Sequence, residues 1–414
     1  MNNKTIIVLG GGTGGLVVAN DLRRALPENH NIVLFEKTAE HAFPASFPWL
    51  MTGLRKPNEI TRQVRALIRP GIKLICSEVL GIDIANRKIS TASESFSFDY
   101  LVVALGAELA PEIIPGLKDA SHSFYSFEGA RKLPQALDQF KGGSISLVVG
   151  SMPYKCPGAP HEGAMLVADY YLKRGLRNQM DIHLYTPESQ PMPVAGPQLG
   201  EAVKQMLASK GISFHPLHKL VSVNGQTREL LFDGKGAVHY DLLIAIPPHR
   251  ALRIAREAGL SNESGWIPVD RATLKTQFPN VYAIGDITTI TIPGRWKAEI
   301  PMMLPKAGVF AHLQAEVVAQ RISDEINGRV PVAEFSGLGY CAIEAGKGRA
   351  GFAVGEFFAT PTPRLELRKI SRIWHLGKVF FEKWWLSSFG LKRHLIGLII
   401  NLGNKLMKVP VRLH

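Results

Sequence analysis

Short apolar runs that stop at glycine recur from the N-terminus to residue 286. Residues 5–9 (Thr-Ile-Ile-Val-Leu) form the first. A run without polar alternation suits a strand buried on both faces, so it predicts a parallel sheet. Gly10-Gly11-Gly12-Thr13-Gly14-Gly15 follows, then a helical stretch over residues 16–26 that Pro27 stops. Residues 31–35 predict a second strand, ending at Glu36. Later runs end in the same way: residues 99–106 at Gly106, 144–150 at Gly150 and 280–286 at Gly285-Asp286, with a further strand at 239–247. The pattern changes near the C-terminus. There Trp, Phe, Leu and Ile interleave with Lys and Arg, which predicts one or two amphipathic helices over residues 372–400. These elements together predict an α/β protein with two Rossmann-like units and C-terminal amphipathic helices.

A length of 414 residues predicts two or three domains. With 46% apolar and 20% charged residues, wholesale disorder is excluded. No 18 uninterrupted apolar residues occur, so no transmembrane span is predicted. The chain enters its first strand almost at once, which predicts no secretory signal and a reducing cytosol. Three cysteines without a Cys-x-x-Cys, and 13 His without ligand spacing, predict neither a disulfide scaffold nor a metal site.

Net charge is +13, and residues 361–414 hold eleven Lys or Arg against two Glu. Nucleic-acid arms rarely carry so much aliphatic bulk, so no nucleic-acid partner is expected. The tail predicts helices lying on an anionic membrane surface. Trp374, Phe381, Trp384, Trp385 and Ile399 are expected to enter the acyl boundary, and Lys378, Lys383, Lys392 and Arg393 to reach headgroups.

Gly10, Gly12 and Gly15 make a G-x-G-x-x-G between a strand and a helix, and Glu36 stands about 20 residues on. Such glycines let backbone approach a pyrophosphate at the helix N-terminus, and the acid can accept a ribose hydroxyl. The second unit departs from this pattern. After Gly150 the chain reads Ser151-Met152-Pro153-Tyr154-Lys155-Cys156-Pro157-Gly158-Ala159-Pro160-His161-Glu162. Proline has no N–H to donate, so a nicotinamide dinucleotide site is not expected there. A thiol occupies the place instead. Cys156 follows Lys155 and precedes a helix-like stretch, a setting that predicts a lowered pKa and a nucleophile. Cys341 lies in the glycine-rich Gly337-Leu338-Gly339-Tyr340-Cys341. Cys76, in the apolar stretch 72–79, is expected to be a buried small hydrophobe.

Tyr282-Ala283-Ile284-Gly285-Asp286 resembles the second FAD motif of two-dinucleotide-domain flavoproteins, in which the Asp binds the ribityl chain. That plan implies an FAD domain from residues 1–114 and 257–330, a second Rossmann-like domain at 115–256, and a C-terminal region at 331–414. More specifically, five segments in order resemble sulfide:quinone oxidoreductases, and in part flavocytochrome c sulfide dehydrogenases. They are His41 to Trp49, Cys156-Pro157-Gly158-Ala159-Pro160-His161-Glu162, Pro305-Lys306-Ala307-Gly308, Gly339-Tyr340-Cys341, and Trp374 to Lys383. The resemblance implies FAD held by Gly10, Gly12, Gly15, Glu36, Gly106, Gly285, Asp286 and Lys306. It implies a redox-active Cys156–Cys341 pair, with Glu162 handling protons and Lys306 placing charge near the flavin. Phe381 and Lys378 would border a quinone, and sulfide and quinone would be the substrates. The tail predicts a monotopic protein on the cytoplasmic membrane, and the expected lack of a secretory signal favours its cytoplasmic face, with a homo-oligomer left open.

Many members of the family that the chain resembles carry a third cysteine before the second unit, which in some is linked to FAD. Here that region reads Phe124-Tyr125-Ser126-Phe127-Glu128, so non-covalent FAD is expected. Histidines that several members carry are also missing, and Glu128 and Glu188 are the nearest ionisable residues. Two other readings compete: an NADH:quinone-type flavin reductase, and a flavoprotein electron-transfer partner without sulfide turnover.

Overall fold

The computed structural model describes residues 3–297, 299–411 and 413; Arg412, counted in the basic tail, lies outside them. The apolar runs become two parallel sheets. The first contains β1 (Thr5–Leu9), β2 (Asn31–Glu36), β3 (Ile72–Cys76) and β4 (Tyr100–Val103). The second contains β5 (Gly143–Val149), β6 (Met180–Tyr185), β7 (Ile212–His215) and β8 (Leu242–Ile246). The chain then returns to the first sheet with β9 (Val281–Ala283). Strand orders are β9-β4-β1-β2-β3 and β7-β6-β5-β8, with every pairing parallel. Each sheet therefore exposes the C-terminal ends of its strands at one edge, where ligands of doubly wound folds bind.

The first crossover helix, α1 (Thr13–Ala25), and the second, α2 (Ala159–Lys173), differ in surroundings. α1 is amphipathic, whereas α2 is buried from Ala159 to Tyr171. Most of α2 is apolar, and it lies in the core shared by both sheets, with His161, Glu162 and Asp169 buried along it. Later helices include α3 (Pro197–Ala208), α4 (Gly308–Ile326) packed on α1, and the pair α5 (Arg372–Trp385) and α6 (Leu391–Leu406). Before α5 comes an antiparallel sheet that the sequence reading did not anticipate: β10 (Leu338–Gly346), β11 (Arg349–Glu356) and β12 (Arg364–Ser371). β10 packs on α2, which brings Cys341 to the second unit.

Three expectations need correction. Cys76 is exposed, because it ends β3 at the edge of the first sheet. Trp384 and Trp385 are buried in the protein's own core, and Phe381 packs on Phe43 and Trp385. Lys378 pairs with Glu162, and Arg393 donates to the carbonyls of Trp384, Trp385 and Ser387, so neither reaches outward. The apolar side chains that do face out are Ile373, Leu376 and Phe380 on α5, and Leu391, Leu395, Leu398, Ile399, Leu402 and Leu406 on α6. Their spacing places those of α6 along one helical stripe. Among the described residues, no helix is long and apolar enough to cross a membrane.

Candidate active site

At Gly10 and Gly15 the turn between β1 and α1 leaves no space for side chains. Gly10 has φ +99°, and a Cβ there would lie 2.6 Å from the Ala104 carbonyl oxygen. A Cβ on Gly15 would lie 1.8 Å from the Gly10 carbonyl oxygen. At Gly12, directly before α1, nothing stands within 4 Å, so the helix N-terminus opens onto free space. The Gly11 N–H donates to Glu36 Oε2 at 2.6 Å, which fixes the acid at the end of β2. His41 Nδ1 meets the Gly11 carbonyl at 3.2 Å, and the Trp385 indole N–H donates to His41 Nε2 at 3.0 Å. The C-terminal helix pair is thus tied to the glycine turn.

At the end of β9, Gly285 has φ +73° and the Asp286 carboxyl oxygen Oδ1 is enclosed without a partner. Burial raises the Asp286 carboxyl, opposed by Lys155 and Lys306. A buried acceptor left unsatisfied is costly, so this oxygen is suited to a ligand hydroxyl. Gly106 has φ +72° with open space beside it. A glycine cradle, a fixed acid and an orphan carboxylate together fit FAD.

Lys306 stands two residues before α4. It is buried, and its ammonium donates to the carbonyls of Asp286 (2.7 Å) and Thr288 (2.9 Å), 3.5 Å from the Trp266 ring centroid. Burial lowers it to about 8. Its own carbonyl accepts the Cys156 N–H at 2.6 Å. Lys306 therefore joins the Asp286 turn to the cysteine loop.

Cys156 has φ +54°, and its carbonyl accepts from the Tyr125 hydroxyl at 3.2 Å and the Ala159 N–H at 2.9 Å. Cys341 Sγ lies 3.4 Å from where a Cβ on Gly158 would sit, so a larger residue there would press on that sulfur. Both cysteines are unbridged thiols in this structure. Cys156 presents surface to solvent, yet protein crowds the loop enough for desolvation to dominate. Its thiol is pushed up to about 11, by burial first and Glu162 next, with Lys378 opposing. The expected lowering is thus reversed. The preceding Lys155 is itself lowered by burial, and its charge is spent beside Asp286. Burial raises Cys341 as well, with Cys156 and Glu162 adding to it.

Glu162, in the first turn of α2, is buried and ion-paired with Lys378. Lys378 lies 4.9 Å from the Trp49 ring centroid. Phe381, one turn further along α5, is half-buried 6.0 Å from the Phe43 ring. Side chains to which the sequence reading gave no role of their own border the site as well: Tyr125, Tyr154, Glu344 and His375. Each meets its partner across elements, so its neighbours in the chain do not mark it.

The second unit has an acid three residues beyond the end of β6, whereas Glu36 is the last residue of β2. That acid is Glu188, and it is sealed. Tyr154, from the cysteine loop, donates to its Oε2 at 2.8 Å, and Thr186 does so at 3.0 Å. Burial pushes Glu188 up to about 7. The loop that stands where a glycine turn was expected therefore also covers this acid.

Residues 4–309 match the family described as Pyridine nucleotide-disulphide oxidoreductase. The chain is 26% identical over 373 residues to the mitochondrial sulfide:quinone oxidoreductase of Mus musculus, covering 87% of this chain and 80% of that protein. It is 25% identical over 394 residues to the sulfide-quinone reductase of Aquifex aeolicus, covering 92% and 90%. The solved Aquifex aeolicus sulfide:quinone oxidoreductase superposes with a TM-score of 0.85 over 99% of this chain and 96% of that one, at 23% identity. The doubly wound fold expected from sequence is borne out, and FAD is the cofactor. The chain belongs to the pyridine nucleotide-disulphide oxidoreductase family, and the resemblance of its motifs to sulfide:quinone oxidoreductases extends over most of its length.

Proposed function

We propose that this flavoenzyme oxidises sulfide at Cys156 and Cys341 and passes the electrons through FAD to a membrane quinone. The observation that carries the reading is the pair of thiols about Gly158, in a loop that has replaced a nucleotide-binding turn. In the oxidised form the two sulfurs share a bond. Hydrosulfide attack breaks that bond, leaving a persulfide on one sulfur and a thiolate on the other. Cys156 is the more exposed, which favours it as the sulfur attacked. Bound FAD supplies two-electron acceptance and onward transfer to quinone. Gly10, Gly12, Gly15, Glu36, Gly106, Gly285 and Asp286 would hold it. Lys306 would act by fixing the Asp286 turn against the cysteine loop, since its ammonium is already committed to carbonyls. Glu162 takes protons beside the thiols, and Lys378 and Phe381 border the quinone.

The exposed apolar stripe on α5 and α6 would rest in the interface of an anionic membrane, with Lys383, Lys392 and Lys405 outside the core. The covered Glu188 and the proline-bearing loop weigh against NADH as donor. The cysteine variants separate this reading from a flavoprotein without sulfide turnover. Cys156→Ser and Cys341→Ser should each abolish anaerobic flavin reduction by sulfide, while Cys76→Ser should leave it unchanged. Reduction retained in either of the first two would sink the disulfide chemistry.

A further inference from the structure

After β8 the chain reads Pro247-Pro248-His249-Arg250. Two successive prolines have no N–H to donate, so the segment cannot extend the parallel sheet. It pairs instead with the segment after β4, where His249 stands opposite Leu109 and Arg250 opposite Glu108. Leu109 lies three residues beyond Gly106. This short ladder turns Arg250 outward, where it pairs with Glu108 at 3.0 Å and Glu112 at 2.7 Å. It turns His249 inward, where the side chain is buried.

The neighbours of His249 come from the other segments of the site. Its ring meets the Tyr125 ring edge-on at 5.7 Å, and the Tyr125 hydroxyl donates to the Cys156 carbonyl at 3.2 Å. Lys155, of the cysteine loop, and Lys306, which holds the Asp286 turn, both act on its charge. The Gly106 turn, the cysteine loop and the Asp286 turn thus come together around one imidazole.

A carbonyl can only accept, so the 2.8 Å contact between His249 Nδ1 and the Pro247 carbonyl puts the ring proton on Nδ1. Burial first and Lys155 next, with Lys306 adding less, push the imidazole down to about 3 against the Pro247 bond. The ring is therefore neutral, and Nε2 keeps a lone pair. Nε2 is enclosed and meets no donor among the described residues. The donors nearby are engaged elsewhere. Lys306 donates to the Asp286 and Thr288 carbonyls, Tyr125 to Cys156, and Lys155 lies beside Asp286. A buried acceptor without a donor is costly. Asp286 Oδ1 is a second such acceptor in the same site. Two enclosed acceptors among loops that fit FAD call for a ligand that brings donors.

We propose that His249 is a further cofactor ligand, whose Nε2 accepts a hydrogen bond from the flavin and registers it against the cysteine loop through Tyr125. FAD brings hydroxyls on its ribityl chain and an imide N–H on its ring, and the lone pair of a neutral imidazole accepts from either. The proposal rests on FAD being bound here and is independent of the substrate that reduces it.

Three holoenzymes test it: the parent, His249→Phe, which keeps a ring against Tyr125 but has no acceptor, and His249→Gln, which restores one. The flavin fluorescence freed on serial dilution reports FAD affinity. His249→Phe should raise the Kd for FAD about tenfold, and His249→Gln should recover most of that loss. Equal affinity in the parent and the Phe variant, or an equal loss in the Phe and Gln variants, overturns the proposal. A second readout needs no variant to hold flavin. In parent holoenzyme carrying isotope-labelled histidine, nitrogen NMR should place Nε2 upfield of a bare imidazole lone pair, as hydrogen bonding does; the signal missing from either variant identifies it. A resonance at the bare-lone-pair position overturns the proposal even if His249→Phe fails to fold. A parent protein that carries no flavin would overturn this proposal and the cofactor together, and flavin absorbance shows that at the outset.

Discussion

A methyl group at Gly15 would collide with the Gly10 carbonyl oxygen, in a turn whose shape the cofactor needs. Gly15→Ala should therefore purify with little or no FAD, and flavin absorbance relative to protein absorbance checks this. The residues at Phe124 and Tyr125 are buried aromatics rather than a linking cysteine. Acid precipitation should accordingly release all flavin into the supernatant; yellow colour on the pellet would contradict non-covalent binding. Glu188 offers a pH test. Its folded value is raised to about 7, above the ordinary carboxylate value. Between those two values the folded protein keeps a proton that the unfolded chain has lost. Stability from this group is therefore full below the ordinary carboxylate range and falls as pH rises through 7, by on the order of 3 kcal/mol at most. Glu188→Gln should flatten that decline in thermal melts taken across the window. At this scale the glycines of the first turn and Glu36 were readable from motif spacing, Cys156 from a thiol in the proline-bearing loop where a glycine turn was expected, and Cys341 and Asp286 only through the resemblance of their segments. The direction of the Cys156 shift was not, since desolvation and Glu162 depend on chain folded around the loop.

The C-terminal helices show what periodicity conveys and what it leaves open. Two amphipathic helices were legible from alternating bulk and charge, but which aromatic side faces in was not. Trp384 and Trp385 pack inward because Phe43, His41 and His312 offer a matching surface from distant segments. The outward stripe instead consists of Leu and Ile on α6. Leu398→Asp with Leu402→Asp should abolish vesicle association, since each exposed Leu contributes roughly 1.5–3 kcal/mol when buried. It should leave sulfide-dependent flavin reduction intact and reduce quinone turnover, because core contacts are spared. Cosedimentation with anionic vesicles measures the first effect, and unchanged binding would contradict the interfacial role. Deleting residues 372–414 is a poorer test, since it also removes Trp384 and Trp385 from the core.

The whole molecule joins two doubly wound sheets through the buried helix α2, with the antiparallel sheet β10–β12 closing over it. The interleaved order of the sheets was legible because each buried strand is an apolar run that ends in glycine. The antiparallel sheet was not, because β12 alternates apolar and charged residues, as in Leu365-Glu366-Leu367-Arg368, and merges with the basic tail. That sheet brings Cys341 beside Gly158, so the site exists only in the assembled fold. The central claim is that a thiol site has replaced a nicotinamide site in front of FAD. Anaerobic titration of the flavin band with sulfide and, separately, with NADH tests it most directly. The account predicts that sulfide bleaches the band and NADH leaves it unchanged; bleaching by NADH with no response to sulfide would contradict it.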